Sequence, residues 1–285
     1  MESGVTVSPA HRRRDITALV VAAGASVGVL GGLIGLGGAE FRLPLLIGLF
    51  GFAALNAVIL NKAMSLVVVM TALPVRLIAV PFSDLVDHWD VAVNLLAGSL
   101  VGAWLGAGWA TRMRSDLLYR ILAVLLVGIA IVLFASHQGD LGSIGLDGPL
   151  RVAVGVAAGI GIGVVASIMG VAGGELLIPT IVLLYGLDFK LAGSMSLAVS
   201  LPTMIVAFGR YSQHSSFTVL AVHRRFVLSM AAGSIAGSLI GGALVGVVPE
   251  AVLIPVLSLI LVISAWKVWH HQATQPAPEQ STAST

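Results

Sequence analysis

Residues 35–44 of this chain read GLGGAEFRLP, and residues 170–179 read GVAGGELLIP. The second stretch begins 135 positions after the first, and both combine several glycines with one glutamate and a closing proline. The same spacing aligns AGSLVGAWLG at 97–106 with AGSIAGSLIG at 232–241. Anchors that recur at one fixed spacing indicate that the chain consists of two homologous halves.

The spacing between matching residues changes inside each half. The sequence MSL at 64–66 matches MSL at 195–197 at a spacing of 131, and Arg76 matches Arg210 at a spacing of 134. We therefore expect two halves of the same design, with one short internal insertion between the anchors.

The composition predicts that lipid, rather than water, covers most of the protein. Hydrophobic residues make up 58% of the 285 residues, charged residues make up 10%, and the mean hydropathy is +1.04. A soluble domain carries about 25% charged residues, because water must solvate its surface. The apolar runs are long and unbroken, which favours helices over the alternating pattern of a β-barrel. The expected fold class is an all-α integral membrane protein.

Each half contains five apolar segments, and the second segment of each is expected to be broken or short. A full span needs about 20 residues at about 1.5 Å per residue. The run 176–187 is shorter than that, and its counterpart 42–60 is interrupted by Gly48, Gly51 and Asn56. The other predicted segments are 16–36, 62–82, 91–110 and 117–135 in the first half, and 151–169, 191–209, 226–247 and 251–268 in the second.

The basic residues predict how these segments are oriented in an inner membrane. Under the positive-inside rule, the loops that carry Arg112, Arg114, Arg224 and Arg225 lie on the cytoplasmic side, together with both termini. Five crossings per half is an odd number, so the halves would be antiparallel. Such inverted-topology repeats are the architecture of many secondary transporters.

The same pattern divides the chain into five parts. The first apolar run follows a basic cluster and could be mistaken for a cleavable signal peptide, but its counterpart lies in the middle of the chain, so we expect a retained helix. The tail is polar and proline-rich, which is typical of disorder. The predicted parts are a cytoplasmic arm (1–15), a first membrane repeat (16–136), an extracytoplasmic linker (137–150), a second membrane repeat (151–270) and a disordered tail (271–285).

The two glycine-rich stretches are the candidate substrate site. Glycine permits backbone conformations that other residues avoid, and Pro44 and Pro179 each lack the N–H of a helical hydrogen bond, so each stretch is predicted to break a helix. Broken helices in a membrane line a cavity or are covered by protein, and their amino termini attract anions. The alternative is a tight helix-packing site. The glycines predicted to face an anion are Gly37, Gly38, Gly173 and Gly174.

Glu40 and Glu175 occupy matching positions inside the two stretches. A carboxylate within a membrane is costly, and it marks a functional site by default. Each could bind and release a proton during a transport cycle, could form a structural ion pair with an arginine, or could bind a cation. The residues leave these three interpretations open.

Several donors could bind the anion itself. Arg76 and Arg210 match in the repeat, and a guanidinium presents a planar fork that fits sulfonate, sulfite or carboxylate oxygens. Either arginine could instead extend to the membrane interface. Arg42 and Lys62 belong to the first half only and would make the site asymmetric, whereas Ser65 and Ser196 match and could donate hydroxyl hydrogen bonds. In membrane helices, serine is more commonly a packing residue.

Three glycine stripes with a spacing of four residues are predicted to be helix-packing faces, because small residues let helices approach closely. The stripes are Gly98, Gly102 and Gly106, then Gly155, Gly159 and Gly163, and finally Gly233, Gly237 and Gly241.

The motifs of enzymes and of nucleotide-driven pumps are missing from the sequence. It has no cysteine, no HExxH and no phosphate-binding loop, and its one Gly-x-Ser-x-Gly match, GASVG at 24–28, lies inside the apolar run 16–36 rather than at a strand-to-helix turn. Its seven histidines fall near segment ends, in loops or in tails. No enzymatic activity, cofactor or metal is therefore expected. The basic clusters mark topology rather than nucleic-acid binding. The expected partners are the lipid bilayer and a small anionic substrate, and homo-oligomerisation is left open.

The duplicated glycine-rich turns, each followed by an MSL segment and an AGS-xxG helix, resemble the sulfite exporter TauE/SafE family. The resemblance covers both halves and implies a secondary transporter of sulfite, organosulfonates or related small anions. The chain departs from the family pattern by placing Glu40 and Glu175 inside the turns and alanine at positions 39 and 172.

The leading hypothesis is therefore a secondary transporter that exports a sulfur-containing or carboxylated anion by alternating access, with proton coupling through the glutamates. The alternative is a cation or metal-ion transporter that uses the paired intramembrane glutamates. An intramembrane enzyme and a channel or structural subunit are more remote alternatives.

Overall fold

The computed structural model describes residues 9–34, 38–79, 86–138, 145–244 and 250–270. Within these ranges the regular structure is entirely helical, which confirms the predicted all-α fold class. A 3₁₀ turn, Ser215–Thr218, and a short helix, Val219–Val222, precede one of the long helices. The other helices are α1 (Pro9–Ile34), α2 (Ala39–Gly48), α3 (Ala54–Ala79), α4 (Trp89–Arg112), α5 (Ser115–Gln138), α6 (Gly148–Met169), α7 (Gly174–Tyr185), α8 (Phe189–Tyr211), α9 (Arg224–Ala243) and α10 (Glu250–His270).

The helix boundaries repeat with the spacing of the sequence anchors. The pairs α2 and α7, α3 and α8, and α4 and α9 each begin 135 residues apart. Helix ends depend on local caps and turns rather than on bulk hydropathy. Their agreement across the chain supports the duplication independently of residue identity.

Five of the helices are long and apolar enough to cross a membrane, and the number rises to six if the pair Ser215–Val222 and Arg224–Gly241, bent by 72°, is one span. The described parts of α1, α7 and α10 form shorter apolar helices. Large apolar side chains such as Val124 and Ile131 on α5 are more than 60% exposed, as lipid-facing residues would be. The chain is a multi-pass membrane protein.

Glycines join the two halves through close helix pairs. A side chain at Gly98 of α4 would overlap the carbonyl oxygen of Val156 of α6, and one at Gly233 of α9 would overlap that of Val21 of α1. Glycines 159 and 163 in turn face α4, and glycines 237 and 241 face α1. The prediction that these stripes let helices approach closely is confirmed.

The halves therefore interlock rather than lie side by side as separate domains. The first helix of each half packs on the fourth helix of the other, α3 packs on α8, and α5 packs on α10. This exchange of partners is what a twofold relation between the halves would produce. Their inverted orientation across the membrane stays a prediction.

The structure confirms the break predicted in the second segment of the first half, and it moves the start of the third segment from 62 to Ala54. The run 42–60 is not one segment, because α2 ends at Gly48 and α3 begins at Ala54, with Gly51 at a φ of 70° in the turn between them. With 10 and 12 residues, α2 and α7 are short, as predicted. The glycines indicated this turn, but hydropathy did not show that α3 begins directly after it, because the residues of the turn, LFGFA, are as apolar as the helices around them.

The structure also corrects the role given to the prolines. Pro44 and Pro179 lie inside α2 and α7, and the chain breaks before them, at the glycines. Each proline is the sixth residue of its helix, where its missing N–H removes the hydrogen bond to the carbonyl four residues earlier. Those carbonyls belong to Glu40 and Glu175, so the prolines alter the backbone at the two buried glutamates.

Candidate functional site

Two left-handed glycines begin the short helices of the site. Gly38 caps the amino terminus of α2 with a φ of 71°, and Gly173 caps that of α7 with a φ of 87°. A side chain at Gly38 would also overlap the carbonyl oxygen of Val27 in α1. Both positions require glycine because other residues rarely adopt a positive φ. At Gly38 the overlap with α1 is a second reason. Gly174 is the first residue of α7, and Gly37 lies outside the described residues.

Glu40 and Glu175 are the second residues of α2 and α7, and their side chains are 2% and 8% exposed. One carboxylate oxygen of Glu40 and both oxygens of Glu175 lack a hydrogen-bond partner among the described residues. The positive end of each short helix favours a negative charge there. Neither glutamate forms an ion pair within the described part of the chain, although Glu40 attracts Arg42 electrostatically.

Arg42, two residues after Glu40 on α2, is completely buried. Its Nη1 donates to Asn61 Oδ1 at 3.3 Å and to Ser65 Oγ at 3.2 Å, and its Nη2 donates to Ser234 Oγ at 3.2 Å. Its Nε has no hydrogen-bond partner in the described regions. These acceptors are neutral, so they position the guanidinium without cancelling its charge.

Asn61 and Ser65 connect this arginine to the second glycine-rich turn. Asn61 Nδ2 donates to the carbonyl oxygens of Ala39, at 3.0 Å, and Met169, at 3.3 Å. Ser65 Oγ donates to the carbonyl oxygen of Gly170 at 3.5 Å. Ser65 was included among the sequence-based predictions and Asn61 was missed, although an amide next to Lys62 in a predicted membrane helix is itself a signal of a functional site.

Lys62 is also completely buried, and it caps the carboxyl end of α6. Its Nζ donates to the carbonyl oxygens of Ala166, at 3.0 Å, and Val171, at 2.6 Å. The last carbonyls of a helix have no intrahelical partner and carry partial negative charge, so an ammonium group stabilises them. Lys62 therefore holds the end of α6 and the turn that leads into α7.

Three other predicted residues have different surroundings. Arg210 lies at the end of α8, where its guanidinium stacks over Trp104 at 4.7 Å and donates to Gln213 at 2.7 Å. Ser196 donates within its own helix, to the carbonyl oxygen of Gly193. Arg76 lies in α3, but its side chain is outside the described residues. The substrate roles of these three residues stay predictions.

Comparison with known proteins identifies the chain's family. The family model for the sulfite exporter TauE/SafE matches residues 19–268, which include all ten helices at least in part. The chain belongs to the TauE/SafE family. No curated protein and no solved structure matches it.

This TauE/SafE protein is asymmetric at its centre. The residue 135 positions after Arg42 is Leu177, and the repeat that aligns the MSL segments places Gly193 opposite Lys62. The two buried cations therefore come from the first half alone, whereas the buried glutamates come from both halves. No group of three His, Cys, Asp or Glu residues that could hold a metal ion occurs in the described ranges of this TauE/SafE chain.

An open polar depression of about 360 Å³ lies beside the first turn of α3 in this TauE/SafE protein. Asn56, Ser215, Ser216, Thr218 and His223 supply its polar lining. Asn56 precedes Asn61 on the same helix by five residues, or about 7.5 Å of helical rise. The depression thus lies toward the same end of α3 as the buried polar cluster.

Proposed function

We propose that the protein is a secondary transporter that exports a small anion, such as sulfite, an organosulfonate or a related carboxylate, across the inner membrane by alternating access. Membership of the TauE/SafE family supports membrane transport of such anions. The observation that carries the proposal is the pair of buried cations, Arg42 and Lys62, neither of which is ion-paired with a carboxylate among the described residues.

The energetics of burial support an anionic substrate. An isolated charge in an apolar interior costs several kcal/mol, roughly, unless an opposite charge or several hydrogen bonds compensate it. Lys62 and Arg42 are held by neutral acceptors, so an anion that entered this region would supply the missing counter-charge. The amino termini of α2 and α7 add partial positive charge.

We propose that Glu40 and Glu175 couple the anion to protons. An ionised carboxylate beside the site would repel an incoming anion and would compete with it for Arg42. Binding of the anion therefore favours the protonated carboxyl groups, and by linkage a bound proton favours binding of the anion. The anion and the proton would then cross the membrane in the same direction.

Reconstituted vesicles test both parts of the proposal. With the purified protein, efflux of sulfite or of a simple sulfonate should saturate with concentration and should be accelerated by the same anion outside. A pH dye inside the vesicles should report loss of protons together with the anion. Linear, non-saturating flux would instead indicate a channel, and a requirement for Na⁺ or a divalent cation would favour the cation-transport alternative.

Glutamine substitutions test the coupling residues. Glu40→Gln and Glu175→Gln imitate the protonated side chains, so anion exchange should continue while the accompanying proton flux is lost. Asp147→Asn, which alters an exposed carboxylate in the loop before α6, is the matched control and should leave the proton flux unchanged. Proton flux that persists in both glutamine variants would exclude these glutamates as the coupling groups.

A further inference from the structure

The guanidinium of Arg42 has donors without an acceptor in the described part of the chain. A guanidinium carries five N–H groups. Three hydrogen bonds, to Asn61, Ser65 and Ser234, occupy both hydrogens of Nη1 and one hydrogen of Nη2. The Nε–H has no partner in the described regions, and Nη2 has one recorded acceptor for its two hydrogens. The Nε–H and Nη2 groups lie along one edge of the plane.

The three acceptors fix the orientation of this free edge. Asn61 and Ser65 lie on α3, and Ser234 lies on α9, so helices from both halves hold the guanidinium. Asn61 is in turn fixed by its own hydrogen bonds to Ala39 and Met169. A guanidinium held in this way loses little side-chain freedom when a ligand binds, which favours affinity.

The fold of a half does not require an arginine at the position of Arg42. Leu177 occupies the position of Arg42 in the second half, where α7 begins and ends as a short helix without any charge at that place. The charged group that acts on Arg42 among the described residues is Glu40, two residues earlier on α2. When Glu40 is protonated, as in the proposed coupling, the charge of the guanidinium is left for a ligand to balance.

We propose that the Nε and Nη2 edge of Arg42 is the anion-binding group of this transporter, and that it selects oxyanions able to present two oxygens in one plane, such as sulfonates, sulfite and carboxylates. This inference rests on the proposed function and adds the binding residue and the geometry it selects. Two parallel hydrogen bonds to a guanidinium require two acceptor atoms on the ligand. A monatomic anion such as bromide cannot supply both.

A selectivity series in wild-type vesicles tests the geometry without any substitution. Methanesulfonate, acetate and bromide all carry one negative charge, so differences among them report shape and acceptor number. Methanesulfonate and acetate should compete with the transported anion at concentrations about tenfold or more below bromide, since each charge-assisted hydrogen bond contributes roughly one such factor. Equal competition by all three anions would overturn the proposed geometry.

The substitution Arg42→Lys tests the residue. It keeps a positive charge but replaces the planar fork with a point charge. The half-saturating concentration for methanesulfonate should rise about tenfold or more, while competition by bromide should change little, so the selectivity between them should collapse. Arg120→Lys is the matched control, because Arg120 on α5 is exposed and stacks over Trp269.

The outcomes separate this inference from the proposed function. Selective wild-type transport with unchanged selectivity in a well-folded Arg42→Lys variant would overturn the role of Arg42 and leave the anion transporter intact. Absence of anion flux in the wild type would overturn both. If Arg42→Lys does not fold, the wild-type selectivity series still decides whether a two-oxygen ligand is preferred.

Discussion

Lys62 and Arg42 are both buried cations on neighbouring helices, but their surroundings assign them different tasks. The ammonium group of Lys62 donates to the carbonyl oxygens of Ala166 and Val171, where α6 ends. The guanidinium of Arg42 donates to side chains, and its Nε–H has no partner among the described residues. A cationic group that donates to backbone carbonyl oxygens stabilises the fold. A cationic group that only neutral side chains hold still lacks a counter-charge, which a ligand can supply.

Replacing Lys62 with methionine should therefore affect stability more than selectivity. The change keeps most of the side-chain volume but removes the Lys62 donor from the carbonyl oxygen of Val171, while that of Ala166 keeps its bond from the Val171 N–H, so the loss should cost about 1–3 kcal/mol. A thermal unfolding measurement in detergent should show a clearly lower melting temperature. Surviving Lys62→Met protein should still prefer methanesulfonate over bromide.

Lys267→Met provides the comparison for this prediction, because Lys267 is an exposed lysine in the last turn of α10. Its replacement should change the melting temperature little. Equal melting temperatures for Lys62→Met and the wild type would show that the contacts with Ala166 and Val171 do not stabilise α6.

At the scale of elements, glycines decide which helices can touch. Gly159 and Gly161 lie two residues apart on α6 and face different surroundings. A side chain at Gly159 would overlap the carbonyl oxygen of Leu95 in α4, whereas nothing lies within 4 Å of one at Gly161. The same helix therefore offers both a tightly packed glycine and a matched control.

Gly159→Ala should force α4 and α6 apart and lower the melting temperature, because overpacking a close contact costs about 1–3 kcal/mol. Gly161→Ala should be neutral or slightly stabilising, since alanine favours a helix over glycine by about 1 kcal/mol. Both variants should be compared with the wild type by thermal unfolding. A similar loss of stability in both would indicate that backbone flexibility, rather than close packing, explains the glycines.

Most of the elements could be predicted from the sequence, and the exceptions have physical reasons. Hydropathy located the long helices, and the repeat supplied the boundaries that hydropathy leaves vague. Hydropathy placed the start of the third segment at 62 rather than at Ala54, because apolar residues surround the turn at Gly51 on both sides. Proline suggested a break, but the left-handed glycines before it break the chain, and α2 and α7 accommodate the proline inside the helix.

The candidate site was predicted less completely than the fold. Glu40, Gly38 and Gly173 could be found because they recur at the repeat spacing. Arg42 and Asn61 have no charged or amide counterpart at that spacing, so the repeat could not single them out. Their importance arises from contacts between α2, α3 and α9, which bring together residues as far apart in the chain as Arg42 and Ser234.

At the scale of the whole molecule, the interlocked packing connects the symmetry of the fold to transport. The first helix of each half packs on the fourth helix of the other through glycines, so movement of one half must be accommodated at both interfaces. The buried polar cluster lies where the halves meet, with Arg42 and Lys62 from the first half bonded to groups of the second. Rearrangement of these contacts would change both interfaces and the anion site together.

Inverted orientation of the halves makes a prediction about the two sides of the membrane. Asp87 and Val222 are exposed residues 135 positions apart, just before α4 and α9. Asp87 lies near other acidic residues, whereas Val222 is followed by the basic residues Arg224 and Arg225. The positive-inside rule therefore predicts that Asp87 and Val222 lie on opposite sides of the membrane. Since the chain has no cysteine, Asp87→Cys and Val222→Cys each introduce a single thiol.

A membrane-impermeant maleimide applied to spheroplasts should label Asp87→Cys at once and Val222→Cys only after permeabilisation. Ser115→Cys, at the first residue of α5 and directly after Arg114, is predicted to lie on the cytoplasmic side and should behave like Val222→Cys. Labelling of Asp87→Cys and Val222→Cys from the same side would mean that equivalent points of the two halves face the same compartment. The halves would then be parallel, and alternating access by exchange of two inverted repeats would be wrong for this protein.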